Sequence, residues 1–164
     1  MPYLLDADVF IRAKNLHYGF DICPAFWDWL IAHNASSEVF SIEKVDDELK
    51  ALSDELSSWA SARGSGFFLK MDSSMRPSLA AVSNWASGQN YTMSAVSTFL
   101  QVADYYLVSH AHAGGHTVVT HEVPSTSIRK IKIPDACMGL GIKCISPYEM
   151  LRRERARFVL GSAS

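Results

Sequence analysis

Cysteine is scarce: Cys23, Cys137 and Cys144 are the only three, an odd number with no Cys-x-x-Cys spacing. That argues against a disulfide framework or structural zinc and predicts reduced thiols in a cytoplasmic protein. No apolar run reaches 18 residues and no signal-peptide pattern is visible, so no membrane role is expected. A basic excess is also missing: 15 Lys and Arg stand against 17 Asp and Glu, for a net charge of −2. A nucleic-acid partner would therefore have to be gripped locally or through metal ions. No internal repeat breaks the chain into modules. What is present, 48% hydrophobic and 20% charged residues over 164 positions, suits one globular domain spanning 1–164.

The stretch that organises the chain is Tyr3-Leu4-Leu5-Asp6-Ala7-Asp8-Val9-Phe10-Ile11. Its short apolar start reads as a buried central strand of a parallel sheet, whose carboxyl end is where open α/β sheets place ligands. Asp6 and Asp8 at that edge would repel each other unless a divalent cation such as Mg²⁺ or Mn²⁺ lay between them. The plainer alternative is that one caps the next helix while the other is solvated.

Beyond it, helices are predicted over 9–17 and 23–34, a strand over 36–41, and a long helix over 42–63. The long helix rests on an apolar stripe of Ile42, Val45, Leu49, Leu52, Leu56 and Trp59. An extended piece at 67–69 precedes helices over 77–90 and 94–113, the latter built on Val96, Phe99, Leu100, Ala103, Leu107 and Ala111. Residues 117–120 read as a buried strand, 122–133 as a polar loop, 134–140 as a short helix, 142–145 as a last strand and 147–160 as a charged terminal helix. Strands alternating with helices predict α/β class, a central parallel sheet of about four to five strands in a three-layer α/β/α arrangement.

The remaining acids fall at particular places on these elements. On a helix over 42–63, Glu48 lies about 60° from the stripe centre, Asp46 about 100° and Asp47 about 160°. Glu48 alone then flanks the buried face. Asp104 is the only acid on the 94–113 helix, about 70° from its stripe centre, and an acid in mid-helix serves neither propensity nor dipole. Glu122 follows the 117–120 strand by two residues, while Asp135 opens a short helix, where an acid is favourable for structural reasons alone. Asp6 and Glu122 at strand ends, with Glu48 and Asp104 on helix flanks, can converge on one cleft.

In order, Leu4-Leu5-Asp6-Ala7-Asp8-Val9-Phe10-Ile11, Val45-Asp46-Asp47-Glu48-Leu49, Asp104-Tyr105-Tyr106-Leu107-Val108-Ser109-His110-Ala111 and Val118-Val119-Thr120-His121-Glu122 resemble the four motifs of PIN domains. Lys132-Ile133-Pro134-Asp135-Ala136-Cys137 is similar to a variant subgroup of toxin-like members. PIN domains are Mg²⁺- or Mn²⁺-dependent ribonucleases, many of them toxins of type II toxin–antitoxin modules. The resemblance implies that Asp6, Glu48, Asp104 and Glu122 hold the metal, with Asp8, Thr120 and Asp135 as supporting groups or additional ligands. It departs from the family at Glu122, where Asp is usual, and at Asp8, where a small polar residue is usual.

Two rival readings remain. Asp6-Ala7-Asp8 also matches the nucleophile-plus-acid pair of HAD-type phosphohydrolases, with Thr120 as a second motif but no persuasive later lysine and acidic pair. A non-catalytic RNA- or protein-binding domain is the other. The basic cluster Arg129, Lys130 and Lys132 beside Glu122 is the candidate RNA-backbone contact, on a loop expected to be mobile. An antitoxin is the partner that the resemblance implies. The helix with Phe26, Trp27, Trp29, Leu30 and Ile31, apolar on more than one side, could face that partner, a second copy in a homodimer, or the core.

Overall fold

The computed structural model describes residues 2–161. Five parallel strands, β1 (Tyr3–Leu5), β2 (Val39–Ile42), β3 (Phe68–Leu69), β4 (Thr117–Val119) and β5 (Cys144–Ile145), form one sheet in the order β3-β2-β1-β4-β5. The helices among the described residues are α1 (Ala7–Asn15), α2 (Pro24–Ala35), α3 (Glu43–Lys50), α4 (Glu55–Ser61), α5 (Arg76–Gly88), α6 (Met93–Phe99), α7 (Ala103–Gly114), α8 (Ile133–Gly139) and α9 (Pro147–Arg153), with a single 3₁₀ turn at Ser73–Met75. The expected α/β class, parallel sheet and three layers are what the chain forms.

The connections explain the layers. From β1 the chain steps outward to β2 and β3, then crosses back over β1 to β4 and on to β5. Right-handed crossovers therefore put α1–α4 on one face and α5–α8 on the other. The packing agrees: α1 rests on α3 and α4, while α5, α7 and α8 rest on one another. Tyr3 is paired with Val39 on one side and Thr117 on the other, so β1 is central. The strand order reverses between β1 and β4, and the cleft of an open α/β sheet lies at that switch point.

The core is aromatic on the α1–α4 face. Phe10, fully buried on α1, meets Trp59, Phe67 and Phe68 at ring-centroid distances of 5.8, 6.1 and 6.2 Å. Burying such a side chain contributes about 1.5–3 kcal/mol. Phe26, Trp27 and Leu30 of α2 join the core; the Trp27 ring stacks on Phe20 at 4.1 Å and its Nε1–H donates to the Tyr18 carbonyl at 2.7 Å. Most of the apolar side of α2 is thus covered from within, and Trp27 offers nothing to a partner. Only Trp29 and Ile31 stay partly exposed, and Trp29 stacks on His33 at 4.0 Å.

Two long helices expected from periodicity are each two helices. The 42–63 stripe breaks at 51–54: Ser53 sits at φ +53°, and Asp54 starts α4 with a capping box in which its carboxylate accepts from Ser57 N–H at 3.1 Å and Ser57 Oγ accepts from Asp54 N–H at 3.0 Å. Leu52, assigned to the stripe, is therefore exposed. The second break, at Leu100–Val102, starts α7 afresh, so Asp104 lies in a first helical turn rather than mid-helix. The terminal helix stops at Arg153, with Arg155 at φ +54° two residues on, instead of continuing to 160. Replacing Asp54 by Ala removes the cap and the 2.7 Å ion pair with Lys14. The expected loss is about 1 kcal/mol, read as a lower urea midpoint at unchanged slope.

Candidate metal centre

β1 runs straight into Asp6, whose backbone N–H still donates to the Val119 carbonyl at 2.9 Å before the chain turns into α1. Asp6 is then the N-cap of α1: its Oδ1 accepts from Ala7 N–H at 2.7 Å. Its Oδ2 accepts from Thr120 Oγ1 at 2.8 Å, across from the end of β4. Both residues are buried, Asp6 at 6% exposure and Thr120 at 2%. Asp8, one residue into α1, accepts from His121 N–H at 3.2 Å through both oxygens and lies 3.3 Å from the Thr120 hydroxyl. That hydroxyl has one proton to give, so Asp6 and Asp8 compete for it. The same oxygen accepts from Glu122 N–H at 3.1 Å. Asp6 thus performs the capping role that was one of the alternatives in the sequence, while Asp8 is held by hydrogen bonds rather than left to solvent.

Glu122 leaves the sheet edge and accepts the Ile133 N–H at 2.9 Å through Oε1, which closes the loop between β4 and α8. Asp104 enters from the other face on α7. Burial raises its carboxyl to about 6, with further upward pressure from Glu122, Glu48 and Asp8 and relief from Lys130. Asp6 is raised well above the usual carboxylate range, chiefly by burial, then by the charges of Asp8 and Asp104; the Thr120 hydrogen bond works the other way. Glu48 on α3 is an exposed residue overall, yet burial also lifts its carboxyl, and its field reaches Asp104. Among the described residues no donor hydrogen-bonds the carboxyl of Asp104 or of Glu48.

Acids on α1, α3, α7 and at the β4 end thus gather around the switch point, where burial and the neighbouring charges raise Asp6 and Asp104. A divalent cation among them would favour the ionised form of the raised carboxyls. The carboxylate donor set, all hard oxygen with a single lysine for relief, fits Mg²⁺ or Mn²⁺. The spacing is looser than a closed shell. Among the described residues, the one trio of His, Cys, Asp or Glu whose ligand atoms all lie within 4.8 Å of one another is His33, Glu38 and Glu154. That trio is at the opposite end of the sheet, beside Tyr3, whose hydroxyl donates to Glu154 at 3.4 Å.

A family model described as a domain of unknown function, DUF4411, matches residues 3–158. The chain belongs to this family. No curated protein and no solved structure matches it. The DUF4411 match takes in every acid of the cleft, from Asp6 to Glu122, and the loop and helices that frame it.

Of the supporting residues expected from sequence, the DUF4411 domain brings Asp8 and Thr120 into the site. Asp135 instead faces the loop, where its Oδ2 accepts Ser125 N–H at 3.0 Å. That loop was expected to be mobile, but it is tied down by this bond, by the Glu122 contact, by buried Ile131 and by Thr92 N–H donating to the Ile128 carbonyl at 3.0 Å. Arg129 and Lys130 share with Asp104 the lining of a cavity of about 180 Å³, so the basic cluster does border the acids. Lys132, the N-cap of α8, is only partly exposed. Sequence reasoning passed over His121, whose backbone N–H holds Asp8; its place directly after the strand was the available signal.

Proposed function

We propose that this DUF4411 domain is a Mg²⁺- or Mn²⁺-dependent endoribonuclease of the PIN kind, acting on single-stranded or structured RNA as the toxin of a type II toxin–antitoxin module. The observation that carries the reading is the convergence at the sheet's switch point of Asp6, Asp8 and Glu122 on the Thr120 hydroxyl, with buried Asp104 close enough to raise the Asp6 carboxyl. Asp6, Asp104, Glu122 and Glu48 would hold the ion. A bound divalent cation supplies charge neutralisation at the scissile phosphate and lowers the pKa of the attacking water. Thr120 fixes the rotamer of Asp6 through the 2.8 Å bond, and His121 N–H fixes Asp8. In-line attack by water forms the new P–O bond and expels the 3′ oxygen, leaving a 5′-phosphate and a 3′-hydroxyl with no covalent enzyme intermediate.

The test is incubation of the purified domain with single-stranded RNA and Mn²⁺. Cleavage with 5′-phosphate products, lost in EDTA, supports the reading; cleavage that persists in EDTA overturns it. For the toxin role, expressing the chain alone should arrest growth, and co-expressing the product of a neighbouring gene should relieve the arrest. Harmless expression of a chain that still cuts RNA would make it a housekeeping nuclease.

One observation favours the phosphohydrolase alternative: Thr120 touches both Asp6 and Asp8. Against it, the chain carries no persuasive later lysine followed by an acidic pair to complete such a site. Trapping a phospho-aspartate at Asp6 would decide for that alternative.

Arg129, Lys130 and Lys132 are assigned to the RNA backbone. Changing all three to Ala should weaken RNA binding and flatten its log–log salt dependence by about 0.7 for each phosphate no longer neutralised. An unchanged slope removes them from the interface.

A further inference from the structure

One cavity that borders the acids has no role in the chemistry above. It has a volume of about 660 Å³ and opens between the β4 end, α8, the β5 end and α9. It shares Thr120, His121 and Glu122 with the acidic cleft, so whatever occupies it is continuous with the group held there. The volume is within the range of ligand pockets and ample for one nucleotide.

Its walls combine three kinds of surface. Val123, Pro134, Met138 and Ile142 give an apolar lining. Tyr148 and His121 form an aromatic corner, with ring centroids 5.7 Å apart and an interplanar angle of 67°. The His17 ring also meets Tyr148 edge-on, at 6.1 Å. Arg12 stands at the rim. The ion pairs among the described residues are Lys14–Asp54, His33–Glu38, Lys50–Asp46 and Arg153–Glu149, which leaves Arg12 without an acidic partner. Of the acids in the lining, Glu149 is turned to Arg153 at 2.7 Å and Glu122 to the Ile133 N–H.

An apolar slot with an aromatic corner and one free guanidinium at its mouth suits a planar base carrying a phosphate. Single-stranded RNA offers such a group once a base is unstacked from its neighbours. We infer that this cavity is a subsite for one splayed-out nucleotide of the RNA substrate, its base against Tyr148 and His121 and its phosphate on Arg12, directly beside the linkage that is cut. The inference rests on the ribonuclease reading and adds how the substrate is positioned. It makes unstacked RNA the preferred substrate, because a base held in a duplex cannot enter the cavity.

The test uses a short single-stranded oligoribonucleotide carrying 2-aminopurine at one position at a time. Binding is measured with the Asp104→Asn domain, so that nothing is cut. One position, next to the linkage that the unaltered domain cleaves, should lose fluorescence on binding through stacking. Adding Tyr148→Ala should restore that fluorescence and weaken binding by about tenfold, whereas Tyr148→Phe should keep both. With an abasic nucleotide at the same position, binding should be equally weak whether or not Tyr148→Ala is present. Quenching that survives Tyr148→Ala, or RNA binding with no quenched position, overturns the subsite while leaving RNA cleavage by the unaltered domain intact. Tyr148→Ala that spares RNA binding but releases a co-purifying protein assigns the cavity to a protein partner instead. Failure of the unaltered domain to cut or bind RNA overturns the ribonuclease reading and the subsite with it.

Discussion

Asp104→Asn is expected to lower Mn²⁺-dependent RNA cleavage by more than about 100-fold while leaving the fold intact. Losing a group that merely supports a ligand typically costs about 10–100-fold, and a direct ligand should cost more. Asn keeps the size of Asp104 and its place in the first turn of α7 but neither the charge nor the second strong acceptor. Asp6→Asn should behave alike, with one difference: its amide would still accept from Ala7 N–H, whereas the Thr120 hydroxyl would lose its charged acceptor. Thr120→Val should fall between, about 10–100-fold down, because Asp6 would lose its orienting bond rather than its charge. Cleavage rates at saturating Mn²⁺ check all three. Undiminished cleavage by both Asn variants would show that the acidic cleft is not where the reaction occurs.

Without metal, the same carboxylates should destabilise the fold as pH rises. Asp104 ionises near 6 in the folded state against 3.8 for the free group. A raised folded-state pKa means that the stabilising contribution is complete below the unfolded value and is lost as pH climbs through the folded one. Between about pH 4 and 6 the cost accumulates to roughly 3 kcal/mol at most, and Asp6 acts in the same direction. His110 opposes them: burial first, then the charge of His116, holds it down to about 4. Its stabilising contribution is present above its unfolded pKa and lost as pH falls through that lower value. The informative quantity is therefore the stability of the unaltered domain minus that of Asp104→Asn. This difference should turn against the unaltered domain as pH rises from about 4 to 7, by several degrees of Tm. Adding Mn²⁺ at about 100 times its Kd should restore roughly 3 kcal/mol at neutral pH to the unaltered domain, and much less to Asp104→Asn.

The class of fold and the strand-end acids were legible because both depend on local signals. Short apolar runs marked the buried strands, and Asp6 and Glu122 follow them within two residues. The breaks at Ser53 and at Leu100–Val102 were not legible from hydrophobic spacing, because both halves of each helix keep nearly the same stripe phase. A positive φ at Ser53 and the Asp54 capping box interrupt the backbone without disturbing the pattern. Asp104 is the residue whose meaning changes most. Its position in a first helical turn is favourable to the helix dipole, so what marks it as a candidate is burial beside other acids, a tertiary property. Asp135 was ambiguous for the same reason, since an acid at a helix start serves equally a loop and an ion; here it serves the loop. The nucleotide-sized cavity was invisible in the sequence, as Arg12, His121 and Tyr148 come from three distant segments.

Locating Mn²⁺ by its anomalous scattering in crystals of the domain tests the central claim most directly. The account predicts a peak at the switch point of the sheet, among Asp6, Asp104, Glu122 and Glu48, and its disappearance in Asp104→Asn. A peak only at His33, Glu38 and Glu154, the tighter trio at the opposite end of the sheet, would contradict it.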